Sequence, residues 1–256
     1  MIGRKIIFKE SLDSTNNYAA NLLKDGLLVD GTVIVSGEQT AGKGQRNAQW
    51  HAEPYKNIIF TCFVEYANLS VDSQDAITHF VSLAIIDFLN EKNVFAEIKW
   101  PNDILIGNAK ISGVLIENQL KSHRCVSSII GIGINVNQTA FGDWNATSMQ
   151  LQTGTHYDIQ ELVFSLIEKL QNRFNQIQAF DLSALKEEYL DKMWLKGKTS
   201  QFEDENGRFE GVIQGTDHHG RLLIDCQGDV RTFDLKQIRF IERNASEGDS
   251  SCTQKD

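Results

Sequence analysis

An α+β fold with a mixed or antiparallel sheet follows from three observations. Strand-like and helix-like segments alternate irregularly, several strand-like runs are only a few residues apart, and the composition turns to short glycine-punctuated strands from Gly197 onward. Strict βαβ units, with a long crossover after every strand, are not the pattern. With 256 residues, 41% of them hydrophobic, the chain can bury one large core and a small second one.

Residues 5–9 read as a short strand. Asp13 or Ser14 can cap a helix reaching Leu23, with Tyr18, Leu22 and Leu23 on its apolar side. Gly26 and Gly31 punctuate its exit, and the β-branched run 32–36 is a buried strand. A loop spans 37–57 before a strand at 58–64. Segment 73–91 sets Ile77, Phe80, Val81, Ala84, Ile85, Phe88 and Leu89 on one face at helical spacing. Strands are expected at 95–99, 103–107, 110–117 and 126–136, with Asn108 in a turn. Helices are expected at 158–178 and 182–194. From Gly197 a small antiparallel β module follows, and the polar tail after Arg243 is expected to be disordered.

A formal charge of −9 argues against general nucleic-acid affinity, which needs a basic face. It leaves room for a local anion site, because phosphate responds to charges within a Debye length. Cys62, Cys125, Cys226 and Cys252 are scattered without metal-ligand spacing, as expected of thiols in a reducing cytosol. No metal site is expected. The start carries no signal peptide and no run approaches the ~20 apolar residues of a membrane span, so a cytoplasmic protein with no membrane partner is expected.

Chemistry concentrates in a few short segments. Gly42-Lys43-Gly44-Gln45-Arg46-Asn47-Ala48-Gln49-Trp50 offers a glycine-framed backbone, two cations and one aromatic ring. Gly42 and Gly44 permit positive φ and close approach, so their amides can face an anion. Trp50 can stack a purine or serve as a core anchor. In Lys99-Trp100-Pro101-Asn102-Asp103 the proline interrupts a strand and projects Asn102 and Asp103 from its end. Lys110 precedes the apolar strand Ile111–Ile116; it is either a solvated edge residue or a site cation, and Glu117, closing that strand, reads as structural. Gly131-Ile132-Gly133-Ile134-Asn135-Val136-Asn137 lacks the third glycine of a dinucleotide fingerprint.

Together with Ser14-Thr15-Asn16, these segments resemble in order and spacing the catalytic region of biotin protein ligases, over about residues 11–240. The resemblance implies a class II synthetase-like catalytic domain over 1–195, an SH3-like β domain over 196–243 and a tail at 244–256. It implies that ATP with Mg2+ converts biotin to biotinyl-5′-AMP, and that the biotin passes to a lysine of a biotin carboxyl carrier protein domain. Ser14, Thr15, Asn16, Gln39, Gly42, Lys43, Gly44, Gln45 and Lys110 would bind biotin, Ser14-Thr15-Asn16 at its ureido ring. Lys43, Arg46, Trp50, Asn102 and Asn135 would bind the nucleotide, and Lys110, Arg46 and Asp103 would be catalytic. Lys110 would reach the biotin carboxylate and the α-phosphate.

Many members carry arginine at the place of Gln45 and glycine at that of Asn47, so retention of the adenylate is the property this chain puts in question. The pattern starts almost at Met1, leaving no room for the winged helix-turn-helix of bifunctional members. A DNA-binding role is therefore not expected, and the chain would act as a monomer or homodimer. Two other readings stand beside this one: a lipoate or octanoate ligase or transferase, and a non-catalytic biotin sensor.

Overall fold

The computed structural model describes residues 1–45 and 48–241. They form two compact units that meet in sequence at Trp194 and Leu195. The first holds seven strands and five helices in the order β1 (Lys5–Leu12), α1 (Thr15–Lys24), β2 (Thr32–Gln39), β3 (Asn57–Ser70), α2 (Asp75–Glu91), β4 (Glu97–Lys99), β5 (Asp103–Ile106), β6 (Ala109–Lys121), β7 (Arg124–Asn135), α3 (Met149–Thr153), α4 (Ile159–Gln178) and α5 (Leu182–Asp191). The sheet runs β1-β2-β3-β7-β6-β5-β4; β1 and β2 are parallel and the other pairs antiparallel. This is the mixed sheet the segment order predicts.

Helix α1 starts at Ser14, whose hydroxyl accepts from the Asn17 backbone N–H. Its Ala19, with Tyr18, Leu22 and Leu23, packs on Ile34, Phe63 and Ile129 of the sheet. On the opposite face, Phe174 of α4 meets Tyr66 of β3 and Phe80 of α2. Helix α2 departs from the one-sided pattern expected of it: Ala76, His79, Ser82, Leu83 and Ile86 are buried as well as the predicted face. It is enclosed by sheet, α4 and α5, so its apolar residues surround it rather than forming a stripe. Each fully buried Phe or Leu contributes roughly 1.5–3 kcal/mol over leaving it exposed.

Strand β3 runs beyond the expected end at 64, through a register shift between Glu65 and Leu69. Helix α3, five residues capped by Ser148 and closed by Gly154 at φ 72°, has no counterpart among the expected elements. No helix among the described residues is long and apolar enough to cross a membrane.

The second unit is an antiparallel sheet of β8 (Thr199–Asp204), β9 (Gly207–Thr216), β10 (Leu222–Cys226), β11 (Asp229–Phe233) and β12 (Arg239–Ile241), ordered β11-β10-β9-β8-β12. This five-stranded arrangement suits an SH3-like β fold. Phe202, Ile213, Leu222, Ile224 and Phe233 form its buried core. Arg231 lies 4.5 Å from the Phe209 ring and 4.9 Å from Phe233 and pairs with Asp204. The expected tail at 244–256 lies outside the described residues.

Candidate active site

Directly opposed residues of neighbouring strands share a face, and every second residue returns to it. On the face that α1 covers, β3 and β7 present Phe63–Ile129, then Thr61–Gly131, then Ile59–Gly133. The first pair belongs to the core under α1; beyond it the glycines leave room for side chains from other elements. A Cβ on Gly131 would fall 2.4 Å from Asn16 Oδ1, and one on Gly133 2.4 Å from the Trp50 ring. On β6, a Cβ on Gly113 would meet Lys110 Cε at 3.0 Å and Trp50 at 3.3 Å. These three glycines floor a cavity of about 190 Å3.

A bulge aims the lysine. Ile104 of β5 faces Ser112 but Leu105 faces Lys110, which leaves Ile111 as an extra residue. The alternation reverses past such a bulge, so Lys110 turns to the side of Gly113 and of Gly113's partner, Asp103. Lys110 Nζ lies 2.6 Å from Asp103 Oδ1 and 5.7 Å from the Trp50 ring centroid. Asp103 stays in place because the preceding turn is clamped: Asn102 Nδ2 donates to the Val114 carbonyl at 2.6 Å, and Val114 N–H returns to the Asn102 carbonyl. An ammonium carries three donors, so the Asp103 pair leaves donors for incoming oxygens.

One strand step away the lining is polar and uncharged. Gln39 Oε1 accepts from the Thr15 N–H at 2.7 Å and from its hydroxyl at 3.0 Å. Thr61 Oγ1 lies 2.7 Å from Asn16 Oδ1 and 2.8 Å from Thr15 Oγ1. Lys43 Nζ donates to Asn17 Oδ1 at 2.6 Å, and Asn17 Nδ2 to Asp13 at 2.6 Å. That last bond, with the Ser14 N–H and the Lys43 charge behind it, holds the Asp13 carboxyl below its ordinary 3.8.

The glycine segment is a small hairpin within the expected loop. Lys43 bridges Gln49 antiparallel, Gly44 N–H bonds the Ala48 carbonyl and Trp50 N–H the Gly42 carbonyl. Neither Gly42 nor Gly44 uses the positive φ that glycine permits. Space is the reason for Gly42, where a Cβ would lie 2.4 Å from the Trp50 carbonyl oxygen.

Of the residues singled out in the sequence, Ser14, Thr15, Asn16, Gln39, Lys43, Gly44, Gln45, Trp50, Asn102, Asp103 and Lys110 line the cavity. Gly42 lines instead a neighbouring cleft of about 410 Å3 with Gln49, Trp50 and His51. Asn135 does not line the cavity; its Nδ2 donates to the Thr147 carbonyl at 3.0 Å and approaches that of Lys110 at 3.4 Å, while Oδ1 is buried without a partner among the described residues. Trp50 Nε1 is buried and likewise has no partner among the described residues. Arg46 lies outside the described residues. Sequence reasoning missed Thr61 and Asn17, read Glu117 as structural, and assigned no contact to Gly113. Glycines two apart in a strand, Gly131 and Gly133, were the available sign of close approach on one face.

Comparison with known proteins adds relatives to this geometry. The chain is 28% identical over 237 residues to the bifunctional ligase/repressor BirA of Bacillus subtilis, covering 90% of this chain and 72% of that one. It is 26% identical over 221 residues to a biotin–[acetyl-CoA-carboxylase] ligase of Mycobacterium tuberculosis, covering 84% and 81%. A biotin protein ligase from Aquifex aeolicus solved with biotin and ATP shares the fold, with TM-score 0.75, 24% identity and coverage of 93% and 100%. The pattern of the biotin/lipoate A/B protein ligase family matches residues 8–135, half of the chain. This chain belongs to that family.

Proposed function

We propose that the chain activates biotin with ATP to biotinyl-5′-AMP and passes the biotin to a lysine of a biotin carboxyl carrier protein domain. One observation carries the reading: the cavity is neutral and polar at Thr15, Asn16 and Gln39, floored by glycines in the middle, and cationic at Lys110. Biotin has the same order, a ureido head, an apolar stem and a carboxylate. A lipoyl or octanoyl chain offers no donor or acceptor to the amide and hydroxyl cluster and would forgo its hydrogen bonds there, each worth about 0.5–1.5 kcal/mol net. A sensor would have no use for a cation aimed by a bulge. The curated relatives named as biotin ligases support the same substrate.

In the first step a biotin carboxylate oxygen bonds the α-phosphorus while the bond from that phosphorus to the bridging oxygen breaks and pyrophosphate leaves. Two anions must come into contact, and the Lys110 ammonium, held by Asp103, neutralises both oxygens as they meet. Lys43 adds positive charge from the hairpin. The Trp50 ring offers a stacking face for the purine, whereas Asn135, buried off the cavity and bonded to the Thr147 carbonyl, is given no contact with it. Mg2+ bound with ATP would be held mainly by phosphate oxygens and water and would shield the triphosphate. In the second step the acceptor amine bonds the activated carbonyl, AMP leaves, and the amine proton goes to solvent. The test is pyrophosphate–ATP exchange: it should require biotin, and exchange that ignores biotin but responds to lipoate would overturn the proposal.

A further inference from the structure

Glu117, which reads in sequence as the end of a strand, stands mid-strand on β6, on the face of Gly113 and Leu115. Its Oε2 accepts from Asn16 Nδ2 at 2.7 Å, and the Leu115 carbonyl takes the same nitrogen at 3.5 Å. The other end of that carboxamide, Oδ1, lies over Gly131 and accepts from the Thr61 hydroxyl at 2.7 Å. Asn16 is only 3% exposed, so a turned-over amide would find little water to replace its partners.

The two ends of a carboxamide have nearly the same shape and opposite hydrogen-bonding character, so its neighbours decide which way it faces. An ionised carboxylate only accepts. Turning Asn16 over would set its oxygen against Glu117 and the Leu115 carbonyl, three acceptors with no donor between them. We infer that Glu117 is a positioning residue for ligand choice: it holds the Asn16 carboxamide with Oδ1 toward the cavity, where it accepts from a ring N–H of the bound cyclic urea. A ligand presenting an acceptor at that point meets another acceptor and is refused. The inference rests on the biotin reading above.

Glu117→Leu removes the acceptor from an exposed strand position and leaves Asn16 free to turn. KM for biotin in the exchange assay should rise about tenfold, the equivalent of about 1.4 kcal/mol. KM for ATP and kcat should stay within about twofold, because a contact made equally in ground and transition states changes KM alone. Asn16→Asp alone sets two carboxylates face to face and should raise the biotin KM further. Asn16→Asp with Glu117→Gln restores a donor opposite an acceptor, keeps an oxygen over Gly131, and should recover most of that loss. Side-chain amide NMR on the substrate-free protein reads the bond itself: Glu117→Leu should move the Asn16 Nδ2 proton pair.

An unchanged biotin KM in Glu117→Leu, an equal rise in both KM values, or a double variant no better than Asn16→Asp would overturn the inference. So would an unmoved Asn16 amide resonance. Absence of biotin-dependent exchange in the wild type would instead defeat the functional reading, with the NMR result still deciding whether Glu117 orients Asn16.

Discussion

Replacing Gly133 by alanine separates the two readings of Trp50, purine platform and core anchor. The added methyl would lie 2.4, 2.6 and 2.9 Å from Cε2, Cζ2 and Cδ2 of that ring. Carbon atoms in contact prefer about 3.5–4.0 Å, so the ring must withdraw by about an ångström. The backbone cannot yield in its place, because Gly133 is paired with Ile59 on one side and Gly113 on the other. Gly133 is not at positive φ, so alanine meets no strain of its own. Overpacking of this kind costs about 1–3 kcal/mol. If the ring stacks the purine, that cost falls on nucleotide binding and KM for ATP should rise roughly five- to a hundredfold. Exchange kinetics at varied ATP, alongside tryptophan fluorescence of the ligand-free protein, measure both effects. A shifted emission with an unchanged KM for ATP would refute the platform reading; unchanged emission would show that the ring does not lie over Gly133.

Lys110→Ala should lower kcat for adenylation by the equivalent of about 3–4 kcal/mol with the fold intact; activity within a few-fold of wild type, by the exchange assay, would return Lys110 to the role of an edge residue. Gln45 lines the cavity where the family pattern usually carries arginine, and a charged hydrogen bond contributes roughly 1.5–3 kcal/mol against about 1 for a neutral one. Gln45→Arg should therefore slow dissociation of biotinyl-AMP about tenfold in a stopped-flow release experiment, and equal rates would remove Gln45 from the site. His79, packed 4.3 Å from the Tyr189 ring and 3.8 Å from the Asp75 carboxylate, is pushed from its ordinary 6.5 down to about 3 by burial, with the Lys186 charge adding to it. Between those values the unfolded chain binds a proton that the folded one refuses, so this stability is whole above pH 6.5 and is lost as pH falls toward 3, by an order of 3–5 kcal/mol. Denaturant titrations should show that slope in wild type and not in His79→Leu; identical slopes would exclude His79 as its source.

The parts legible in sequence are those whose cause is local. Ser14 can be read as a cap because its partner, the Asn17 N–H, is three residues away, and the Lys99–Asp103 string can be read because proline and its neighbours shape their own turn. Helix α2 announced its period but not its enclosure, since burial on every side depends on what packs around it. Helix α3 is too short at five residues to show any period. The bulge at Ile111 is invisible because it is a property of the pairing between β5 and β6, yet it decides where Lys110 points. Glu117 meets Asn16 across 101 residues of chain, a separation no spacing argument bridges. Of the two reasons for a glycine at 42, positive φ and close approach, only the second applies, and the approaching group is the Trp50 backbone.

A cavity built this way should select biotin and join it to AMP. Incubating the protein with MgATP and equal concentrations of biotin, lipoate and octanoate, without an acceptor, and identifying the adenylate it retains by mass spectrometry tests that selection directly. Biotinyl-AMP is the expected product, and much less of it in Lys110→Ala. Lipoyl-AMP or octanoyl-AMP as the main product, or no adenylate from any of the three acids, would contradict that expectation.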